Sequence, residues 1–522
     1  MKKKLFCSLL TGVLLSFAFP PFRMGFLAYF ALIPFLFVLE EVDYKESIRW
    51  GFLFGLFVNI GTLYWINWVT VPGAIGAILY LPVYFVIYSV LHTFIRKRLG
   101  NGQIYMWVPF LWTGMEYFRS LGVLGFPWNS LAYTQSYYLS LIQYVSYTSV
   151  YGVTFWVVLI NVIILMLIKN IAGNYRRTIV YFIVLILLFI LPWLYGKMVI
   201  PDDEAVPDED IRVALIQGNI DPYLKWDDAF LQENLKIYDK LTRQSAALSP
   251  QLIIWPETAI PDYFRSSKLY LNGVKSLLAD INVPLITGAP DYRFKENNEY
   301  ITFNAVFLVR PNRSDLQIYH KIHLVPFGER VPFTERFQLL KAFLERFEMG
   351  EGNFSEGDEI VSFKVPLVPS DSLSQKEPGR EFIMAPAVVC FESVFPELVR
   401  KFILNGSDIL IVITNDAWFE RSSAPYQHAR MAVFRAIENR VSIARCANTG
   451  VSMFIDPYGR TLSATPIFEE KVLVDTIPLR TQTTFFTRFG NVFTIAVSLI
   501  NLAPLLAALF NVRKHGKIAG SM

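Results

Sequence analysis

The first two hundred residues consist of apolar runs separated by short polar or basic segments. A helix that crosses a lipid bilayer needs about 20 consecutive, mostly apolar residues. Eight runs come close to this length, and seven of them precede residue 200. They lie at about residues 5–22, 25–41, 50–69, 73–95, 103–120, 144–168, 178–197 and 487–510. The pattern therefore predicts a multi-pass α-helical membrane domain of about eight spans.

The stretch between the seventh and eighth runs has a different pattern, in which short apolar segments end in turn or polar residues. These predicted strands are "IRVALIQGNI" (211–220), "PQLIIWPETAIP" (250–261), "VPLITGAPDY" (283–292), "ITFNAVFLV" (301–309), "FIMAPAVVCFE" (382–392) and "SDILIVITNDAWF" (407–419). Predicted helical stretches lie between several of them, such as "DAFLQENLKIYDKLTRQSAAL" and "PYQHARMAVFRAIENRVSIARC". Apolar strands that alternate with helices are typical of an α/β layered domain. The predicted division is a membrane domain at 1–200, a soluble domain at 210–480, and a final span with its tail at 485–522.

Composition and charge agree with a membrane protein. Hydrophobic residues make up 53% of the 522-residue chain and charged residues only 18%, which is too apolar for a wholly water-soluble protein. The formal net charge of +4 is small, and the basic residues lie largely in short loops, which argues against nucleic-acid binding. The first apolar run also resembles a signal peptide. No small-x-small cleavage site follows it, so we predict a retained first helix.

The distribution of basic residues predicts the orientation, because Lys and Arg are enriched in cytoplasmic loops. If the N-terminus is inside, only Arg23 and Arg119 fall in the short outside loops. Fourteen basic residues then fall in inside segments: Lys2, Lys3, Lys4, Lys45, Arg49, Arg96, Lys97, Arg98, Lys169, Arg176, Arg177, Arg513, Lys514 and Lys517. The seventh span therefore delivers the soluble domain to the extracytoplasmic side.

Three side chains suited to acyl transfer stand at the ends of predicted elements. Glu257 follows "IIWP", Lys321 lies in "YHKIHLVPFGE", and Cys390 follows "APAVV". A thiolate is the nucleophilic form of cysteine, a carboxylate in a dry pocket can act as general base, and an ammonium stabilises an oxyanion. Side chains at strand ends of layered α/β folds converge on one crevice. Each residue alone also has a structural explanation: Glu257 as a charge at a helix end, Lys321 as a surface lysine and Cys390 as a core thiol.

The ordered motifs "WPE", "KIHLVPFGE" and "CFE" resemble those of the carbon-nitrogen hydrolase (nitrilase) superfamily, over about residues 210–480. The resemblance implies an α-β-β-α sandwich in which Glu257 is the base, Lys321 the electrostatic partner and Cys390 the nucleophile, with no metal and no cofactor. It implies that the backbone N–H after Cys390 contributes to an oxyanion hole. It also implies further site residues: the supporting acids Glu329 and Glu392, Phe391 where tyrosine is expected, and the pocket walls Trp226 and Trp418.

A hydrolase of small amides has no need of membrane spans, so the combination indicates a lipid substrate. The resemblance over the whole chain implies a multi-pass acyltransferase of the bacterial inner membrane with a periplasmic catalytic domain. Cys390 would take an acyl chain from a phospholipid, with phosphatidylethanolamine the expected donor, as a thioester. The acceptor would be the α-amino group of the N-terminal diacylglyceryl-cysteine of a lipoprotein.

Several alternatives stay open at this point. The protein could be a membrane-tethered amidase, in which water resolves the thioester, or a scaffold or transporter with a degenerate hydrolase domain. Cys390 and Cys446 could form a disulfide, and His428 is expected to cap or pack its helix. The segment 336–359 is either a helix packed on the soluble domain or a lid that touches the bilayer.

The bias of basic residues makes the predicted orientation testable. A membrane-impermeant protease should cleave within residues 200–485 when it is applied from the extracytoplasmic side, to cells whose outer membrane has been removed. The same protease applied to inverted vesicles should leave that stretch intact until detergent is added. Cleavage from the cytoplasmic face alone would overturn the orientation.

Overall fold

A computed structural model of the chain describes residues 1–202, 209–296, 298–331, 354–367 and 380–519. The chain folds into two compact units. The first is bounded by Met1–Asn67, Val71–Pro201 and Phe489–Met522, and the second by Trp68–Thr70 and Asp202–Arg488.

Helices make up the first unit and alternate with strands in the second. The α-helices of the described residues are α1 (Lys2–Ala18), α2 (Ala28–Ala31), α3 (Ile33–Glu40), α4 (Tyr44–Leu63), α5 (Ile66–Val69), α6 (Val71–Tyr80), α7 (Pro82–Leu99), α8 (Asn101–Arg119), α9 (Leu139–Ile142), α10 (Val145–Thr148), α11 (Val150–Asn170), α12 (Tyr175–Val199), α13 (Leu231–Ala246), α14 (Lys268–Ile281), α15 (Pro396–Leu404), α16 (Ala424–Asn439), α17 (Phe485–Phe489), α18 (Val492–Ile500) and α19 (Leu502–Ala519). Short 3-10 turns lie at Gly25–Leu27, Leu131–Gln135, Leu224–Trp226, Asp228–Phe230, Cys390–Val394 and Asp416–Phe419.

Within the described residues, four helical segments are long and apolar enough to cross a membrane: Val71–Leu99, Val150–Asn170, Tyr175–Val199 and Val492–Phe510. Helix α12 leaves large apolar side chains exposed, including Val180 at 57% and Leu191 at 59%. A continuous apolar surface of this kind suits lipid rather than water. The helical, membrane-type character of this unit is confirmed, whereas the number of eight spans stays a prediction.

Two of the predicted spans have unexpected features. Residues 25–41 form consecutive short pieces, a 3-10 turn followed by α2 and α3, and a proline stands in the first turn of α3. The predicted span 103–120 corresponds to α8, and its last residue, Arg119, is only 1% exposed. The assignment of Arg119 to a loop is therefore wrong, because it ends helix α8 and its buried guanidinium donates to Ser130 Oγ at 3.4 Å.

Two six-stranded sheets form the second unit. Their strands are β1 (Asp210–Gln217), β2 (Leu252–Ile254), β3 (Leu285–Phe294), β4 (Tyr300–Val309), β5 (Gln317–His320), β6 (Ser362–Pro366), β7 (Phe382–Val389), β8 (Ile409–Thr414), β9 (Ser442–Ala447), β10 (Met453–Ile455), β11 (Thr461–Ala464) and β12 (Lys471–Pro478). The strand orders are β12-β1-β2-β3-β4-β5 and β11-β10-β9-β8-β7-β6. Each sheet has three parallel strands at its centre, β1-β2-β3 in one and β7-β8-β9 in the other. Antiparallel strands flank both triplets.

The two sheets face each other, and helices cover their outer faces. Helices α13 and α14 pack on the first sheet, where the Tyr238 ring of α13 stacks on Trp255 at 4.7 Å. Helices α15 and α16 contact the second sheet. Between the sheets, the Cys446 thiol of β9 lies 3.4 Å from the Ile216 carbonyl and 3.3 Å from that of Ile254. The layered α/β prediction is confirmed.

One predicted helical stretch is wrong in part. Helix α16 ends at Asn439, and the following segment forms β9 instead of continuing the helix. Arg440 adopts a left-handed conformation with φ 47°, which ends the helix in the way a glycine usually does. Residues 336–353 of the predicted arm at 336–359 lie outside the described residues.

Candidate active site

Glu257 lies on a tight turn just beyond β2. Its carboxylate is buried and accepts two hydrogen bonds, from Asn304 Nδ2 to Oε1 and from the backbone N–H of Asn415 to Oε2, both at 2.8 Å. The next residue, Thr258, has a φ of 46°. Gly288 of β3 packs against this turn so closely that a Cβ there would lie 2.7 Å from Glu257 Cα. The packed backbone turn and the hydrogen bonds to both oxygens therefore hold the carboxylate in one orientation.

Lys321 follows β5 directly and buries its ammonium between two carboxylates. Its Nζ lies 2.9 Å from Glu329 and 3.5 Å from Glu257 Oε1, and the side chain is 1% exposed. Asn304 Nδ2 also donates to Glu329 Oε1 at 2.8 Å, and the N–H of Val325 donates to its other oxygen at 2.8 Å. Asn304 thus bridges the two carboxylates that flank the ammonium.

Glu392 connects the lysine loop to the cysteine turn. Its Oε1 accepts from the Tyr319 hydroxyl at 2.6 Å and from the backbone N–H groups of Ile322 and His323 at 2.9 and 3.0 Å. Its Oε2 accepts from the N–H of Val389, the last residue of β7, at 2.8 Å. One buried carboxylate therefore fixes the segment after Lys321 relative to the strand that leads to the cysteine.

Cys390 begins the 3-10 turn after β7 and has a φ of 49°, in the left-handed region that non-glycine residues rarely occupy. Such a conformation costs about 1–3 kcal/mol and persists where surrounding contacts enforce it. Cys390 as a residue is partly exposed. Cys390 and Cys446 are both free thiols, and the alternative of a disulfide between them is wrong.

The charges around the thiol have opposite effects on its ionisation. Burial raises the pKa of the Cys390 thiol well above its ordinary value, the Glu257 carboxylate raises it further, and Lys321 opposes both. Burial alone would lower the pKa of Lys321, but Glu329 and Glu257 raise it overall. The surroundings therefore favour the neutral form of the thiol and the charged form of the lysine.

The predicted aromatic residues have separate neighbours. Phe391 is buried, and its ring lies against Phe395 at 5.1 Å and His323 at 5.9 Å. Trp226 is 38% exposed on the 3-10 turn after β1, whereas Trp418 packs edge-on against Tyr223 at 5.4 Å. The structure joins Glu257, Lys321 and Glu329 in one hydrogen-bonded cluster through Asn304. Glu392 ties the backbone after Lys321 to the end of the strand that precedes Cys390.

Sequence reasoning missed several partners of this cluster. Asn304 could have been noticed as a lone amide in an otherwise apolar strand, since such a side chain needs a buried partner. Asp416 lies near the end of the predicted strand "SDILIVITNDAWF", where the sequence alone assigns it no role. Of the two expectations for His428, the structure shows packing and not capping: it is buried inside α16, and its ring nitrogens contact Asp416 and the Cys390 carbonyl. Cys390, Asp416 and His428 each offer a possible metal-ligand atom within 4.8 Å of the other two. The Asp416 carboxylate, however, is already bound by Arg445 at 2.8 Å.

Comparison with known proteins gives two matching family models. The apolipoprotein N-acyltransferase N-terminal domain matches residues 11–163, and the carbon-nitrogen hydrolase family matches residues 212–484. An apolipoprotein N-acyltransferase of Geobacter metallireducens is 37% identical over 97% of this chain and 95% of its own length. Another, from Chlorobaculum tepidum, is 33% identical over 99% of this chain and 98% of its own. A crystal structure of an amidase from Nesterenkonia sp. aligns with a TM-score of 0.37 and 18% identity, over 53% of this chain and 94% of that one.

The contacts of Glu392 predict a stability effect. Glu392→Gln keeps the shape but turns one acceptor oxygen into an NH₂ group, so at least one buried donor loses its partner. We expect a loss of about 1–3 kcal/mol in the free energy of unfolding. Glu233→Gln is the matched control, because Glu233 is 55% exposed in its ion pair with Lys236. Equal thermal midpoints for the two variants would contradict the anchoring role of Glu392.

Proposed function

The chain belongs to the apolipoprotein N-acyltransferase family, and we propose on this premise that it transfers a phospholipid acyl chain to the N-terminal amine of lipoproteins through a thioester on Cys390. The observation that carries the proposal is the combination of one thiol, one buried carboxylate and one buried ammonium at strand ends. These are the groups that a metal-free acyl transfer needs.

In the first half-reaction Glu257 acts as the base. The thiol is protonated at neutral pH, because burial and the nearby carboxylate raise its pKa, so it needs a proton acceptor before it can attack. Glu257 takes the thiol proton and the sulfur attacks the ester carbonyl of the phospholipid. Lys321 is unsuited to be the base, because the two flanking carboxylates raise its pKa and keep it charged.

Lys321 stabilises the negative charge that develops on the carbonyl oxygen. The ammonium is already desolvated and held at 2.9 Å from Glu329, so it needs no reorganisation during the reaction. The backbone N–H of Phe391 is proposed as the second donor to this oxygen. The tetrahedral intermediate collapses to a Cys390 thioester, and the departing alkoxide takes the proton from Glu257 and leaves as a lysophospholipid.

In the second half-reaction Glu257 carries a proton from the attacking amine to the departing sulfur. The α-amino group of the acceptor attacks the thioester, Glu257 accepts the amine proton, and the proton passes to the departing thiolate of Cys390. The product is an amide, and the free thiol is regenerated. Glu257 therefore serves as base and then acid in both halves of a ping-pong cycle.

The helical unit supports a lipid-linked substrate pair. We propose phosphatidylethanolamine as the acyl donor and the N-terminal diacylglyceryl-cysteine of a lipoprotein as the acceptor. The proposed arrangement is a membrane domain at residues 1–200 and a last span at 485–522 in the bacterial inner membrane, about eight spans in all. The catalytic domain at 210–480 would then lie on the periplasmic side. Trp226 and Trp418 are proposed to border the entrance for the acyl chains.

Substitution of the proposed base or of the proposed oxyanion-stabilising cation should slow the first half-reaction. Glu257→Gln keeps the hydrogen-bonding shape but cannot take a proton, so acylation of Cys390 should slow by roughly 10²–10⁴-fold. Lys321→Met keeps the stem but removes the charge, and should slow acylation by about 10²–10³-fold. The measurement is the single-turnover rate of thioester formation from labelled phosphatidylethanolamine in detergent micelles.

Thermal midpoints measured in parallel separate chemistry from folding, because Lys321 is one member of a buried charged cluster. Lys321→Arg, which keeps the charge, is the matched control for stability. Near wild-type acylation by Glu257→Gln or Lys321→Met would contradict the proposed roles. A labelled thioester that decays equally fast with and without an amine acceptor would favour the amidase alternative.

A further inference from the structure

A second buried hydrogen-bond network reaches the backbone of the nucleophile. It consists of Arg445 on β9, Asp416 on the turn after β8, and His428 on α16. Arg445 Nη2 donates to Asp416 Oδ2 at 2.8 Å, and His428 Nδ1 lies 2.9 Å from Asp416 Oδ1. All three side chains have no exposed surface.

The network ends on the backbone of the nucleophile. His428 Nε2 lies 3.1 Å from the Cys390 carbonyl oxygen, and because a carbonyl can only accept, this nitrogen is the donor. The hydroxyl of Ser393 donates to the same oxygen at 2.7 Å and lies 3.0 Å from His428 Nε2. Two side chains therefore clamp one carbonyl.

The clamped carbonyl belongs to the peptide unit that carries the N–H of Phe391. A trans peptide is planar, and its C=O and N–H point in opposite directions. Fixing the oxygen of Cys390 therefore fixes the direction of the Phe391 N–H, which leaves this peptide on its other side. The positive φ of Cys390 makes such a clamp necessary, because an unrestrained residue would relax to a more favourable conformation.

The Asp416 carboxylate at the centre of the network keeps its negative charge. Burial acts to raise the pKa of Asp416, but the Arg445 guanidinium and the His428 ring lower it overall, so the carboxylate stays ionised. The Thr414 hydroxyl donates to Asp416 Oδ1 at 2.8 Å, and Gly450 packs against the carboxylate where any Cβ would overlap it. Asp416 thus has little freedom to move, and it holds His428 in place.

We propose that the Arg445–Asp416–His428 network is a positioning device for the oxyanion hole, which aims the Phe391 N–H by holding the Cys390 carbonyl. This inference rests on the proposed function, since it assumes acyl transfer at Cys390. His428 is accordingly a positioning residue that acts through the Cys390 carbonyl.

Two substitutions of His428 separate this role from a purely structural one. His428→Gln can place an amide N–H near the position of Nε2 and so keep a donor to the Cys390 carbonyl, while it gives up the Nδ1 contact with Asp416. His428→Asn can keep the contact with Asp416 while it gives up the donor to the carbonyl. If the network serves the carbonyl, the Asn variant is the more impaired. If it serves only to satisfy Asp416, the Gln variant is the more impaired.

The readouts are two reactions of the same thiol. Thioester formation from labelled phosphatidylethanolamine passes through an oxyanion, whereas alkylation by iodoacetamide does not. We expect His428→Asn to acylate slower than wild type by about 10²-fold, comparable to loss of one oxyanion donor, and roughly tenfold slower than His428→Gln. Alkylation of Cys390 should stay close to the wild-type rate in both variants.

Three results would overturn the inference: wild-type acylation by His428→Asn, the reverse order of the two variants, or a parallel loss of acylation and alkylation. If neither His428 variant folds, as judged by its thermal midpoint, Ser393→Ala must show the same selective loss of acylation, because it removes the other donor to the carbonyl. Wild-type protein that forms no thioester at Cys390 would instead overturn the proposed function itself.

Discussion

The site depends on one electrostatic constraint, which is that a lysine ammonium is buried and must be neutralised locally. Lys321 has 1% of its surface exposed and obtains its counter-charge from Glu329 at 2.9 Å and Glu257 at 3.5 Å. Removing one partner of a buried ion pair typically costs about 3–5 kcal/mol, because the other charge is left uncompensated. Glu257, the proposed base, therefore helps to neutralise the ammonium, and burial together with its charge raises the pKa of the Cys390 thiol.

The two sheets supply the rigid frame that this cluster needs. Glu257 and Lys321 follow strands of the first sheet, and Cys390 follows a strand of the second. Hydrogen bonds that cross between the sheets set their relative positions: the Asn415 N–H from the second sheet holds Glu257, and Tyr319 from the first holds Glu392. A shift of one sheet against the other would break both contacts. The geometry of the candidate site is thus a property of the sandwich as a whole.

Much of the site could be predicted from sequence because its residues follow apolar strands in short motifs. Glu257, Lys321 and Cys390 are recognisable in this way, and the acids at 329 and 392 lie within the same motifs. Asn304 and His428 could not be placed, because their roles depend on which strands pair and which helix faces which turn. Strand β9 was missed because it follows α16 without a glycine or proline, and the left-handed Arg440 carries no sequence signal. Partners that come from distant segments require the three-dimensional arrangement.

The central claim is that Cys390 carries the acyl chain between donor and acceptor. The most direct test is the intact mass of the purified protein after incubation with phosphatidylethanolamine in the absence of acceptor, followed by peptide mapping. The account predicts the addition of one acyl group, removable by hydroxylamine, on the peptide that contains Cys390, and no addition to Cys390→Ala. An unmodified wild-type protein that still acylates an acceptor, or an acyl group on another residue, would contradict it.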